Sequence, residues 1–371
     1  MVATATPTTR RLVTNVYIKL DGADLPPAQD VMADLLRVRV DGSVHLPDLA
    51  VMEFDNSDFK WSNQDKFQLG QELKVYFGDA DLHSDEPVFA GEVTRMEVDV
   101  GLSGAVMMRI CGYDRAHLLH RGRINKVFLQ TKDSDIAQQI AGELHLQSDV
   151  DPTPGVHKYV HQHNQTNWEF LQERAARYGF ELLVRDKTLS FKRPPRTQPA
   201  PIDLAWHEHL LSFRATMTTG DQVNEVEVRG WDPVNKKEVV GVASSPEYLP
   251  VLDEGQTNGG DVAESAHHRQ TKVIVVDQPV YDQEQAQHLA QAILNERAGT
   301  FITAQGLAEG DPHMKLGSEV NLKNVGKQFT GKYRVTQISH RYEPEGYKID
   351  FEVTGRRSTD LISLVSQGGP R

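Results

Sequence analysis

Cysteine and long apolar runs are almost missing from this chain of 371 residues. Cys111 is the only cysteine, so an internal disulfide framework is excluded and a reducing compartment is favoured. Within an apolar, strand-like run, a single Cys is more typical of core packing than of a nucleophile. Residues 1–11 are polar and rich in threonine, and nowhere do about 18 apolar residues follow one another. We therefore expect a flexible N-terminal tail at 1–11, no Sec signal peptide and no membrane insertion.

An excess of basic residues is also missing, since 40 Lys and Arg face 52 Asp and Glu, a formal net charge of -12. This balance disfavours nucleic acid as a specific ligand. Aromatic residues make up 7% of the chain and are spread out, which disfavours an adhesin that binds carbohydrate through exposed aromatic clusters. The length exceeds what a single core usually supports, so two or three domains are expected.

Two distant stretches of the chain repeat one pattern. Each has an apolar-x-Leu-Gly-x-Glu-apolar-x-apolar run, followed by Phe-x-Gly and an alternating segment. The first copy covers 67–75 and 89–96, and the second covers 314–322 and 329–336. We expect Gly70 to match Gly317, and Gly91 to match Gly331, at equivalent points of two similar folds. The same two signals in the same order predict an internally duplicated β-domain.

Alternating apolar and polar residues predict that the first domain, 12–122, is all β. The predicted strands cover 16–20, 36–40, 51–54, 73–77, 89–100 and 105–113. Asp41 and Gly42 interrupt the second alternating segment, and they predict a hairpin turn there. This first domain is expected to be a β-barrel.

A different pattern predicts an α/β domain at 123–193. Ile136, Ile140 and Leu144 share one face of a predicted helix that starts near residues 131–134. A second helix begins with a capping box, Thr166 followed three residues later by Glu169. Its apolar stripe includes Trp168, Leu171, Ala175 and Tyr178, and Gly179 supplies the stop. The hairpin 180–191 completes this domain.

A proline-rich segment, 194–201, is expected to be a stiff linker to a second β-barrel domain at 202–358. Strands are predicted at 210–217, 223–231 and 238–242, and a long exposed loop at about 244–261. A helix at 282–299 is capped by Asp282 and contains Leu289 and Leu294 on its apolar face. Residues 359–371 are expected to form an extension towards a following spike.

Motifs for catalysis and metal binding are incomplete. The run 326–332 begins like a phosphate loop, but residue 333 is Tyr where Ser or Thr is needed, and a strand pattern follows it. His207 and Glu208 begin a zincin-like motif whose second His would stand at 211, which is Leu. The pairs His161 with His163 and His267 with His268 are unremarkable among fifteen histidines. We expect no catalytic residue, no metal, no cofactor and no enzymatic activity.

The segment 161–182, HQHNQTNWEFLQERAARYGFEL, resembles the hallmark of the phage late control protein D family of tail hubs. This family includes the N-terminal part of the type VI secretion VgrG proteins and the hub of extracellular contractile injection systems. Supporting matches lie at 112–114, 131–137, 230–233 and 310–312. The residues that carry the motif and the repeat are Thr166, Trp168, Glu169, Phe170, Tyr178, Gly179, Gly70, Gly91, Gly317, Gly331 and Trp231.

The resemblance implies a mainly β fold in which two related β-barrel domains carry α/β insertions. It implies a structural baseplate hub, assembled in the cytoplasm and placed at the centre of the baseplate among other baseplate proteins. Three copies would form a pseudo-sixfold ring that joins a hexameric inner tube to a trimeric central spike.

Several alternatives stay open at this point. VgrG proteins continue into an OB-fold and a spike, whereas this sequence ends at Arg371, so the spike is either a separate chain or a missing C-terminal part. The sequence does not separate a phage tail from a secretion system or an extracellular particle. The competing functions are a tail-associated peptidoglycan hydrolase and a carbohydrate-binding adhesin.

Overall fold

The structure is a computed structural model that describes residues 15–25, 32–79, 82–83, 86–102, 104–194, 201–247, 251–252, 255–256 and 258–353. The predicted tail 1–11, most of the predicted linker 194–201 and the predicted extension 359–371 lie outside these residues.

The described part of the chain is mainly β. Its strands are β1 Asn15–Leu20, β2 Ala23–Asp24, β3 Leu35–Ser43, β4 Leu46–Asp55, β5 Glu72–Asp79, β6 Leu82–His83, β7 Phe89–Val100, β8 Val106–Asp114, β9 Ile124–Thr131, β10 Gln147–Val150, β11 His157–Gln165, β12 Glu181–Arg185, β13 Thr188–Lys192, β14 Ile202–Ala205, β15 Leu210–Met217, β16 Glu225–Asp232, β17 Lys237–Ala243, β18 Val251–Leu252, β19 Gly255–Gln256, β20 Lys272–Val275, β21 Ile302–Glu309, β22 Glu319–Lys323, β23 Gly331–Glu343 and β24 Gly346–Val353. The α-helices are α1 Asp133–Glu143, α2 Asn167–Ala176, α3 Gly259–His267 and α4 Gln283–Gly299. The predicted mainly β fold with α/β insertions is confirmed.

One large curled sheet contains strands from both predicted β-domains. Its main path is β15-β21-β24-β23-β3-β4-β8-β7-β5-β1-β2, with every neighbouring pair antiparallel. Strands β3 and β23 join the two halves of the sheet. A single buried cluster, which includes Phe54, Phe77 and Phe351, covers the inner face of both halves. Burial of this apolar face is the main stabilising contribution of the sheet.

The sheet is internally duplicated. In the first half the strands follow the order β5-β7-β8-β4-β3, and in the second half they follow the order β22-β23-β24-β21-β15. Both sets appear in the same sequence order, because β3 and β4 precede β5, β7 and β8 just as β15 and β21 precede the other three. The predicted duplication therefore extends to strand order and pairing. We call these two five-stranded sets the first and second sheet copies.

Two smaller units flank the sheet. The α/β unit packs α1 and α2 against β10, β12 and β13 around a core that includes Ile136, Leu171 and Phe191. In the other unit, α4 lies on the sheet β17-β16-β20 and buries Leu289 and Leu294. This second unit is inserted between β15 and β21, where the first sheet copy has only the β3–β4 turn.

Two local predictions were wrong. The hairpin turn predicted at Asp41-Gly42 lies at residues 44–45, because β3 continues to Ser43 and Gly42 pairs with Ile338 of β23. The loop predicted at 244–261 contains the start of α3, whose N-cap Asn258 accepts a hydrogen bond from Gly260 N–H at 3.0 Å. Helix α4 begins as predicted, since Asp282 accepts from Gln285 N–H at 2.8 Å.

Candidate functional site: the two sheet copies and the unit that joins them

The two Leu-Gly turns have the same backbone hydrogen bonds. Gly70 N–H donates to Val93 C=O at 2.8 Å, and Val93 N–H donates back to Gln71 C=O at 2.9 Å. Gly317 and Val335 repeat this pair, since Gly317 N–H donates to Val335 C=O at 2.8 Å and Val335 N–H donates to Ser318 C=O at 2.9 Å. Both glycines have positive φ, +88° and +81°, a conformation that favours glycine. The predicted match of Gly70 with Gly317 is confirmed.

A β-bulge follows each turn at the same place. The pairing of β7 with β8 shifts between Val93 and Arg95, and that of β23 with β24 shifts between Val335 and Gln337. The bulged residue is a threonine in both copies. Thr94 Oγ1 donates weakly to Cys111 C=O at 3.5 Å, and Thr336 Oγ1 donates to Glu352 C=O at 3.4 Å. A bulge bends a strand and redirects its side chains at one defined residue. The shared bulge therefore aligns the two copies residue by residue.

The predicted match of Gly91 with Gly331 is wrong by two residues. Gly91 pairs with Leu73, three residues after its turn glycine, whereas Gly331 pairs with Leu322, five residues after its own. The residue in the place of Gly91 is Tyr333. Gly91 is required by close packing, since a Cβ there would lie 2.2 Å from the Tyr113 carbonyl oxygen. The shared Phe-x-Gly letters therefore do not mark the same point of the fold.

Strands β3 and β23 form a tight junction between the copies. Val40 pairs with His340 and Asp41 pairs with Ser339, whose Oγ donates to Asp41 Oδ1 at 2.6 Å. His340 is buried, and its Nδ1 lies 2.7 Å from Tyr347 Oη. Burial lowers the pKa of His340 to about 3, so the imidazole is neutral in the folded protein. The ring of Phe77, from the first copy, stacks on Tyr347 at 4.6 Å between centroids.

The hairpin β12–β13 binds both copies at once. On the second copy, Glu181 forms a two-point ion pair with Arg334, with 2.6 Å between Oε2 and Nη2, and Arg185 Nη2 donates to Leu316 C=O at 2.7 Å. On the first copy, Asp186 lies 3.6 Å from Lys74 Nζ of β5, and it accepts at 2.9 Å from Arg115, the residue directly after β8. Sequence reasoning missed these residues, because no local pattern marks a partner that is 70 or more positions away.

The predicted motif residues lie around α2. Thr166 Oγ1 accepts from Glu169 N–H at 3.1 Å, and Glu169 Oε2 accepts from Thr166 N–H at 3.0 Å, so the predicted capping box is confirmed. Trp168 is buried and stacks on His120, with 4.9 Å between ring centroids. Phe170 stacks on Phe128 at 5.7 Å. These contacts make α2 the centre of the α/β unit.

A buried ionic network holds α2 to α1. Asp133, at the start of α1, accepts hydrogen bonds from Arg174 Nη2 at 2.9 Å and from Tyr178 Oη at 2.7 Å, and its Oδ2 lies 2.8 Å from His157 Nε2. Burial alone would raise the pKa of the Asp133 carboxyl, but the hydrogen bonds from His157 and Arg174 together hold it well below its ordinary value. Burial and the adjacent Asp133 raise the pKa of Tyr178. The network therefore connects α1 to α2 through buried, charged side chains.

The other predicted residues lie outside α2 itself. Gly179 follows α2 with φ +66°, and Trp231 is exposed on β16 in the second flanking unit. His161 and His163 lie side by side on β11, with 5.2 Å between ring centroids. Among the described residues, no three His, Cys, Asp or Glu side chains are arranged to hold a metal ion. Cys111 is buried, as expected for core packing.

Comparison with known families assigns the chain. The family model described as the Alg8 N-terminal domain matches residues 10–344. The chain belongs to the Alg8 N-terminal domain family. No curated protein matches it at a significant level. No helix in the described residues of this family member is long and apolar enough to cross a membrane.

Solved structures with the same fold are tail proteins and a secretion-system component. The 43 kDa tail protein of prophage MuSo2 from Shewanella oneidensis is 14% identical with a TM-score of 0.66, over 92% of this chain and 98% of that one. The tail protein of Neisseria meningitidis MC58 is 13% identical with a TM-score of 0.65, over 92% and 96%. An E. coli component of the type VI secretion system, described as similar to the T4 tail proteins gp27 and gp5, is 11% identical with a TM-score of 0.55, over 92% and 77%. The predicted resemblance to tail hubs is confirmed at the level of the fold.

Proposed function

We propose that the chain is a structural hub at the centre of the baseplate of a phage tail or contractile injection apparatus. Three copies form a ring that joins a hexameric inner tube to a trimeric central spike. The spike is either a separate chain or a C-terminal continuation of this one. The role is mechanical, without catalysis or a cofactor.

The internal duplication carries this proposal. Each chain holds two copies of one five-stranded arrangement, with the same turn and the same bulge. Two copies in each of three chains give six similar faces with threefold symmetry overall. A threefold spike and a sixfold tube can therefore meet on the same ring.

The direct contacts between the copies support a mechanical role. The junction β3–β23 and the hairpin β12–β13 fix the two copies relative to each other. We propose the division into a first β-barrel domain 12–122, an α/β domain 123–193, a linker 194–201 and a second β-barrel domain 202–358. The motif residues around α2 would then serve the stability of the α/β domain rather than binding a ligand.

Native mass spectrometry of the purified chain tests the proposal. The expected species is a trimer that persists on dilution to micromolar concentration. A stable hexamer of identical chains, or a chain that stays monomeric at high concentration, would contradict it.

A further inference from the structure

Half of one edge of β7 is unpaired in the described part of the chain. Strand β5 pairs only with the segment from Phe89 to Glu92, while β8 pairs along the opposite edge as far as Val100. Met96, Val98 and Val100 lie on the apolar side of this free half, and 38%, 44% and 56% of their surfaces are exposed. An unpaired edge next to exposed apolar side chains favours pairing with another strand.

The equivalent half of β23 in the second copy is covered. Ile338 and His340 correspond to Met96 and Val98, because the shared bulge aligns Gln337 with Arg95. These two residues are only 3% and 1% exposed, since β3 pairs along this edge. The β3–β23 junction within the chain therefore buries two positions whose equivalents in the first copy, Met96 and Val98, are exposed.

The strand that corresponds to β3 in the second copy is β15. Arg39 faces Val51 and Arg214 faces Gln305, while Val51 and Gln305 in turn face the equivalent residues Cys111 and Glu352. Both strands also have a register shift at the same point, between Leu35 and Arg37 in β3 and between Leu210 and Ser212 in β15. In the described residues β15 pairs with β21 and otherwise has one isolated bridge, between Leu210 and Trp206, so its other edge is open from Ser212 to Met217.

We propose that, in the ring of the proposed function, β15 of one chain pairs antiparallel with the open half of β7 in the next chain. The register is that of β3 on β23. It places Phe213 opposite Val100, Arg214 opposite Asp99, Ala215 opposite Val98, Thr216 opposite Glu97 and Met217 opposite Met96.

The side chains fit this register on both faces. On the apolar side, Phe213 and Ala215 meet Val100 and Val98, which extends the core face across the boundary between chains. On the polar side, Arg214 meets Asp99, and neither takes part in an ion pair within the described part of the chain. Opposite charges directly across two strands are stabilising.

The two free edges are unlike, so the contact is head-to-tail. Such contacts close into a ring when the rotation between chains is right, and each chain then uses both of its edges once. The sheet would continue around three chains without a free strand at any boundary between them.

Engineered cysteines test the pairing in the full chain. Ala215→Cys together with Val98→Cys, in a Cys111→Ser background, places two thiols opposite each other across the proposed boundary. Mild oxidation should give a covalent trimer on denaturing gels, and reduction should reverse it. Mixing the two single-cysteine chains should give covalent dimers, whereas each alone should give none. The matched control, Ala215→Cys with Asp99→Cys, points the thiols to opposite faces and should cross-link poorly.

The outcomes separate this pairing from the ring itself. A native trimer in which the Ala215–Val98 pair does not cross-link, with thermal stability unchanged, overturns the pairing and leaves the ring intact. A chain that is never trimeric overturns the ring. In a second, charge-swap test, Asp99→Arg should weaken the trimer several-fold, and adding Arg214→Asp should restore it. A double variant as weak as the single one also counts against the pairing.

Discussion

Glu92 and Arg334 occupy the same position in the two sheet copies and have opposite charges. Glu92 faces Glu72 next to the Gly70 turn, and Arg334 faces Glu319 next to the Gly317 turn. Glu92 pairs with Arg115 at 3.3 Å, whereas Arg334 pairs with Glu181 of the β12–β13 hairpin. Sequence divergence at one duplicated position therefore lets a single α/β unit bind two similar surfaces in different ways.

The Arg334–Glu181 pair should contribute measurably to stability, because its side chains are only 28% and 16% exposed and are bonded at two points. Arg334→Ala should lower the free energy of unfolding by about 1–3 kcal/mol. A double-mutant cycle with Glu181→Ala, measured by denaturant unfolding, should give a coupling of about 0.5–3 kcal/mol. The exposed pair Lys323–Asp203, at 2.7 Å, is the control and should give a clearly smaller coupling, because solvent screens it. Equal couplings for the two pairs would show that the Arg334–Glu181 pair holds the β12–β13 hairpin no more strongly than an exposed ion pair would.

Asp133 should make the stability depend on pH. Its folded pKa is lowered, so the stabilisation is fully present above the ordinary value of 3.8 and is lost progressively as pH falls below it. Asp133→Asn should cost about 3–5 kcal/mol at neutral pH, since it leaves Arg174 buried without its counter-charge. The difference in unfolding free energy between wild type and variant should shrink between pH 5 and pH 2. A difference that stays constant over this range would refute the assignment.

The Thr166 cap should be worth about 1 kcal/mol. Thr166→Ala removes the hydroxyl that accepts from Glu169 N–H, and thermal unfolding should report the loss. Thr166→Ser keeps the hydroxyl and is the matched control. No difference between the two variants would show that the cap is dispensable.

Gly91 should not tolerate a side chain, in contrast to a helical glycine with open space. Gly91→Ala brings a Cβ to 2.2 Å from the Tyr113 carbonyl oxygen, so the strands must separate locally. Overpacking of this kind typically costs about 1–3 kcal/mol. Gly142 in α1 has nothing within 4 Å of the position that a Cβ would occupy, and Gly142→Ala should be neutral or stabilising. Equal losses in chemical denaturation would contradict this account.

Local signals in the sequence predicted much of the fold. The bounds of β7 and β15 agree with their alternation, and the starts of α2 and α4 agree with their caps. These features depend on a few neighbouring residues, so local sequence patterns are enough to predict them. The duplication was also visible, because a Leu-Gly turn with positive φ constrains the sequence strongly.

Features set by distant contacts were missed. Gly42 looked like a turn residue, yet β23 pairs with it and extends β3 past the predicted turn. The Phe-x-Gly letters misaligned the copies, because Gly91 lies three residues before the bulged Thr94 whereas Gly331 lies five residues before the bulged Thr336. The contacts of Arg115, Arg185 and Arg334 join the β12–β13 hairpin to segments that only the fold brings together. Pairing and charge partners of this kind have no local pattern.

Added salt should leave the assembled ring intact or strengthen it. Each chain carries a net charge of -12, so salt screens repulsion between chains while apolar and β-edge contacts persist. Sedimentation at low and high salt measures the trimer fraction. Dissociation at high salt would mean that ion pairs, rather than strand edges, hold the chains together.

A single-particle reconstruction of the assembled ring, without imposed symmetry, tests the trimeric ring most directly. We expect three chains around a central opening, with six similar sheet copies that alternate between first and second type. A ring of six identical chains, or a chain whose two copies do not both line the ring, would contradict it.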